Sequence, residues 1–310
     1  MIRRWLIALL ILMGIAGSGI LASCARTDPA LRVILIPADG GTESGTLSDY
    51  RPLFDAVGKV THLSFDLKVA QSYSGAVEAL CAGQADIAFL GPSTFIEARD
   101  RRCADFLAVA YRNRHSSYRA AIFVRKGSDI ATPADLRGRS LALGDANSTS
   151  SFLYPVAMLL KAGVDPARDM KAIRILGSHA ASLSALANGQ VDAAALSVES
   201  YNRALRANLP GADQLRPLII SEEIPYPPLV VRHGLSHEVA ARVGAALNGL
   251  AANPDIQKEM IRGYGGAVVD GYTTGFPQKA FDQVSQLARL VGPERKEAIL
   301  HRAAKGETAP

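Results

Sequence analysis

Cysteine is nearly absent, with three residues in 310, at positions 24, 81 and 103. No two form a Cys-x-x-Cys pair, and the six histidines include no His-Glu-x-x-His, so the common zinc signatures are missing. Neither a Gly-Lys-Ser/Thr phosphate loop nor a Gly-x-Ser-x-Gly nucleophile elbow occurs. No metal and no cofactor is expected. Charge of one sign is also in short supply: 34 basic against 29 acidic side chains leave +5, without the clustered patch of a nucleic-acid binder. The stretch RDRRC at 99–103, with Arg112, Arg114 and Arg119, reads as a solvated face.

Long hydrophobic runs are confined to the start. MIRRW is a short basic segment and LIALLILMGIAGSGI an apolar run of signal-peptide length. Leu21, Ala22, Ser23 and Cys24 resemble the bacterial lipobox, where cleavage precedes a cysteine that receives acyl chains. Two or three chains hold a protein firmly to a membrane. An ordinary signal peptide with an incidental cysteine, or an uncleaved membrane helix, are the competing readings. On the lipoprotein reading residues 1–23 are the signal, 24–30 a tether, and the protein is exported and lipid-anchored, facing the periplasm or cell exterior. Losing Arg3 and Arg4 lowers the formal charge from +5 to +3. Cys81 and Cys103 then remain in an oxidising compartment, where a disulfide is expected against the alternative of two buried thiols.

Strand and helix signals alternate: LRVILIP (31–37) suits a buried strand, 47–58 a helix, SFDLKVA (64–70) a strand, an order that argues for α/β layers on parallel sheets. Superposing SYSGAVEALCAGQADIAFLG (72–91) on SHAASLSALANGQVDAAALS (178–197) gives eight identities in twenty positions. Each copy reads as one unit, with a Ser N-cap, an Ala/Leu helix, a Gly C-cap and an Asp that opens an apolar strand. Two such units predict two related lobes, and ligands of such sheets bind at the carboxyl ends of strands. A cleft between lobes is the default site. Lobe one is expected to comprise 31–125 plus 230–310 and lobe two 126–229, with hinges near 124–128 and 224–232. The C-terminal helices are expected on lobe one.

The stretch GDANSTSSFLYP (144–155) follows the predicted strand SLALG and places Ser148, Thr149, Ser150 and Ser151 where a helix begins. Helix N-termini carry unpaired N–H groups and partial positive charge. Adjacent hydroxyls add neutral donors, which suits a tetrahedral oxyanion, although one cap needs only one of them. The repeat sets Tyr73 and His179 at equivalent positions, each after a Ser at a helix start.

The segments SYSGAVEAL, ADIAFLGPSTFIEA, NSTSSFLYP, GSHAASLSALANGQVDAA and IPYPPLVVR together resemble the phosphate/phosphite/phosphonate-binding proteins of ABC importers. The resemblance implies a two-lobed periplasmic-binding-protein fold of type II, a non-enzymatic, monomeric role, a small phosphorus anion as ligand and a membrane ABC permease as partner. It implies a ligand set of Ser148, Thr149, Ser150, His179 and Tyr73, with Ser93 and Glu199 in addition. Departures from the family pattern are Leu90 for a second Tyr, Ala180 for an acidic residue and Pro227 for one of two carboxylates that hold an ammonium. Phosphite, phosphate or a simple alkylphosphonate is therefore expected over 2-aminoethylphosphonate. Tyr226 either walls the pocket or lies exposed. The competing functions are a sensor or scavenging lipoprotein of the same fold, and a hydrolase using a Ser of 148–151 with His179 and Glu199.

Overall fold

The computed structural model describes residues 29–37 and 42–306. Cys24 and the leader, and residues 38–41 at the start of the DGGTES turn, lie outside the described residues. The first part of the chain runs β1 (Leu31–Leu35), α1 (Glu43–Thr61), β2 (Phe65–Val69), α2 (Tyr73–Cys81), β3 (Ile87–Phe89), α3 (Pro92–Asp100) and β4 (Ala104–Tyr111). It continues through β5 (Ser117–Tyr118), β6 (Ala120–Arg125), β7 (Ser140–Leu143), α4 (Tyr154–Lys161), α5 (Pro166–Asp169), β8 (Ala172–Ile175), α6 (His179–Ala187), β9 (Ala193–Ser197) and α7 (Val198–Arg206). It ends with β10 (Leu215–Ile220), β11 (Ile224–Pro225), β12 (Leu229–Arg232), α8 (His237–Gly249), β13 (Gly271–Thr273), α9 (Asp282–Val291) and α10 (Pro293–Lys305).

The strands form two large sheets, ordered β13-β4-β12-β3-β1-β2 and β10-β6-β9-β7-β8. The central strands β3 and β9 are buried along their whole length and β7 in all but Ser140, as strands covered by helices on both faces must be. Both sheets are mixed rather than parallel: β12 runs antiparallel to β3 and β4, and β6 antiparallel to β9 and β10. Each antiparallel strand borders a crossing, where the chain changes sheet.

The crossings themselves pair. β5 and β11 form a two-stranded ribbon, Ile224 opposite Tyr118 and Pro225 opposite Ser117. Because β6 already belongs to the second sheet, the first crossing falls before residue 120 and not at the expected 124–128. The proline-rich corner confines pairing to two residues, since proline offers no N–H to a ladder.

The repeat is structural. Ser72 Oγ accepts from Gly75 N and Ser178 Oγ from Ala181 N, both at 3.1 Å. Gly83 and Gly189 take the left-handed φ of +67° and +70° that ends each helix. Asp86 then accepts from Arg32 N at the head of β1, and Asp192 from Ser140 N at the head of β7. At the back of the first lobe Cys81 and Cys103 are joined as a disulfide, with Cα atoms 4.7 Å apart.

The C-terminal helices depart from expectation. α8 packs on α1, β4 and β13 in the first lobe, but α9 lies between α3 and α4, and α10 packs on α5 and β8 of the second lobe. The short α5 has carbonyls that no further turn can satisfy. Arg302 donates to the carbonyls of Ala167 and Met170 at 2.9 and 2.7 Å, and Arg295 to Asp165 Oδ2 at 3.2 Å. Among the described residues no helix is long and apolar enough to cross a membrane.

Candidate anion-binding site

β7 ends at Leu143 and the chain turns through Asp145, whose carbonyl accepts from Ser148 N and whose Oδ1 accepts from Asn147 N. Ser148 is the N-cap, its Oγ accepting from Ser151 N at 3.2 Å. The next turn, Thr149–Leu153, is a π-helix: Leu153 N reaches Ser148 O and Tyr154 N reaches Thr149 O. Its cause is Pro155, which lacks the N–H that would bond Ser151 O in an α-helix. Ser151 O instead accepts from Gly144 N at 3.1 Å. Widened turns of this kind gather at functional sites. All four hydroxyl residues are at most 2% exposed.

The first lobe closes directly on this turn. Thr149 Oγ1 accepts from Ser93 N at the start of α3 and lies 2.9 Å from Ser93 Oγ. Tyr73 N, the first amide of α2, donates to Asp145 Oδ2 at 3.1 Å. Two positive helix ends thus face lobe two, one against a hydroxyl and one against a carboxylate. A Cβ at Gly91 would be 3.5 Å from Tyr73 Cε1 and 3.7 Å from Thr149 Oγ1, so Tyr73, Ser93 and Thr149 share one neighbourhood.

His179 is 1% exposed at the start of α6. Its Nδ1 accepts from Ser197 N at 3.2 Å, and Nε2 lies 2.9 Å from the Tyr264 hydroxyl. A backbone amide can only donate, so Nδ1 is unprotonated, Nε2 carries the proton and donates. Tyr264 Oη donates onward to Ser197 Oγ at 3.4 Å. Ser151 and the Ser178 carbonyl carbon both border Gly144, which joins the His179 helix to the hydroxyl turn.

Glu199 stands apart, in the first turn of α7, lining a cavity of about 310 Å³ with Tyr226, Tyr264 and Arg112. Tyr226 walls this cavity and stacks on Tyr118, centroids 5.9 Å apart. Leu90 is fully buried and Ala180 partly so. Lys296 of α10 donates to Asn147 Oδ1, and burial holds its ammonium below the usual lysine range.

Sequence reasoning passed over five residues. Asp145 stands inside GDANSTSSFLYP without a motif of its own. Tyr264 had only its glycine neighbours in RGYGGA as a signal. Lys296 and the Asp49–Arg203 ion pair, 2.5 Å between Nη1 and Oδ2, join positions too distant in sequence to suggest contact. Among the described residues no group of three or more His, Cys, Asp or Glu could hold a metal ion.

Over residues 42–273 the chain matches the family described as ABC transporter, phosphonate, periplasmic substrate-binding protein. It is 31% identical over 169 residues to the phosphate-import protein PhnD of Mycolicibacterium smegmatis, covering 51% of this chain and 52% of that protein. Identity to the phosphonates-binding periplasmic protein of Escherichia coli is 26% over 199 residues, 63% of this chain and 59% of that one. The chain therefore spans little more than half the length of these curated relatives. A binding protein component of an ABC phosphonate transporter from Pseudomonas aeruginosa superposes with a TM-score of 0.76 at 24% identity, covering 89% of this chain and 96% of that one. PhnD1 from Prochlorococcus marinus, in complex with methylphosphonate, gives 0.73 at 19% identity over 84% and 98%. At these identities the structural likeness is one of fold.

Proposed function

The chain belongs to the periplasmic substrate-binding proteins of phosphonate ABC transporters, and we propose that it captures a phosphorus oxyanion between its lobes for delivery to a membrane permease. The fold is the two-lobed type II periplasmic-binding-protein architecture. The observation that carries the ligand reading is the excess of hydroxyls after β7. Ser148 alone makes the cap, yet Thr149, Ser150 and Ser151 are buried beside it. Neutral donors at a positive helix end suit a tetrahedral anion without neutralising it. Tyr73 and Ser93 approach from the first lobe, and an arriving anion oxygen competes with Tyr264 for the single Nε2 proton of His179. Phosphate, phosphite and alkylphosphonates share the phosphorus oxygens this cradle addresses.

Closure follows as rotation about the β5–β11 ribbon. Four adjacent buried hydroxyls exceed the single nucleophile that a hydrolase needs, which supports binding over hydrolysis. Acylation at Cys24 and a monomeric state complete the reading, and intact-mass spectrometry with size-exclusion chromatography of the exported protein tests both.

The site is tested by calorimetry with phosphate, phosphite and methylphosphonate on the wild type and on Ser150→Ala combined with His179→Gln. A charge-assisted hydrogen bond is worth about 1.5–3 kcal/mol, so each loss weakens binding roughly ten- to a hundredfold. Unchanged affinity would refute the site, and no heat with any of the three would refute the ligand class.

A further inference from the structure

α9 and α10 follow the span that matches the family, residues 42–273, yet both reach the anion turn. α9 packs on α3 of the first lobe and on α4 and the π turn of the second. A cavity of about 280 Å³ lies where these elements meet, bordered by Ser93 and Glu97 of α3, Asn147 and Ser148 of the turn, and Val291 and Lys296 of the C-terminal helices. Lys296 Nζ donates to Asn147 Oδ1. Asn147 N donates to Asp145 Oδ1 at 2.7 Å, and Asp145 Oδ2 accepts from Tyr73 N. An ammonium on the last helix is thereby joined, through two side chains, to the residue before the Ser148 cap and to the first lobe. The charged groups that face it are the carboxylates of Glu97 and Asp145, and Glu97 is also 3.3 Å from Arg101.

The hydroxyls of the turn are neutral donors, whereas the Asp145 carboxylate beside them repels an anion. Resting on the reading that the hydroxyl turn holds a phosphorus anion, we propose that Lys296 is a positioning residue for that site: through Asn147 it fixes where the cap begins, and its charge offsets that of Asp145. An anchor of the fold would need only the hydrogen bond. The charge makes a further demand, because burial holds this ammonium below the usual lysine range and brings its proton loss nearer to neutral pH. A bound anion favours the charged form and raises its pKa. The contribution to affinity is therefore complete below the value in the free protein and is lost as the pH rises through the value in the complex.

The test is calorimetry with methylphosphonate across the neutral to alkaline range on the wild type, Lys296→Met and Lys296→Arg. Lys296→Met is expected to weaken binding roughly tenfold at neutral pH and to lose the part of the alkaline decline that belongs to Lys296. Its profile contains every other titration, that of the ligand and of nearby phenols included. Lys296→Arg stays charged throughout, so it should keep most of the affinity and lack the same part of the decline. Arg302→Gln loosens the far end of α10 and should lower the melting temperature without moving the affinity. Equal affinity in the wild type and Lys296→Met, an alkaline decline that persists unchanged in Lys296→Arg, or an equal loss in Arg302→Gln overturns this inference and leaves the anion site standing. If the wild type binds none of methylphosphonate, phosphate and phosphite, both fall.

Discussion

Gly144 shapes the anion turn by what it lacks. Its φ is not in the left-handed region, so the need for glycine is one of space: a Cβ there would sit 2.1 Å from Ser151 Oγ and 2.8 Å from Ser151 Cβ. Gly144→Ala must push the hydroxyl turn off the end of β7, costing about 1–3 kcal/mol as overpacking does, and weakening anion binding at least tenfold. Gly127→Ala, with nothing within 4 Å of the added atom, is the control. Equal melting temperatures for the two variants would show that the close approach carries no strain. Here the hydroxyls were legible in the sequence, because Ser and Thr at a helix start have a local meaning. The glycine contact and the π turn were not, since both depend on how strand and helix meet in space and on an N–H missing four residues downstream.

At the scale of the element, the repeated helix-strand unit is tied to each sheet by its aspartate. Asp86 accepts from Arg32 N, Nε and Nη2 at 3.1, 2.9 and 2.7 Å. The Arg32 guanidinium bond, working against burial, holds the Asp86 carboxyl below the usual carboxylate range. A lowered folded pKa means that the contribution to stability is complete above the unfolded value of about 3.9 and is lost as the pH falls through the folded value. Asp86→Asn is expected to cost about 1–3 kcal/mol at neutral pH and to flatten the acid limb of a denaturation series below pH about 4. An acid limb as steep as the wild type would place its origin in other carboxylates. The repeat and its caps were readable because each cap is set by neighbours within a few residues, whereas the partners of its aspartates, Arg32 and Ser140, lie more than fifty residues upstream and were not. The mixed strand directions and the seat of α10 were not, because they follow from the second crossing and from carbonyls of α5 more than a hundred residues away.

At the scale of the whole molecule, the contacts between the lobes among the described residues include Ser93 to Thr149, Tyr73 N to Asp145, Tyr264 to His179, and Asp49 to Arg203. The first three lie at the proposed anion site, so their loss mixes closure with ligand contact. The last does not, and Asp49→Asn isolates closure. Arg203 is 34% exposed and Asp49 14%, which keeps the value of the pair to roughly 1 kcal/mol. Affinity scales with the fraction of molecules already competent to bind. Loss of the pair should therefore weaken methylphosphonate binding by up to about fivefold at this energy, and raise the radius of gyration of the unliganded protein in small-angle scattering. Neither quantity should move in Asp86→Asn, which lies at the β1–β3 edge away from the interface. Asp49 pairs with Arg203 of α7 and not through the cap of the hydroxyl turn, so its effect should add to that of Ser150→Ala, as independent sites do. A combined loss well short of that sum would mean that latch and anion cradle form one cooperative unit.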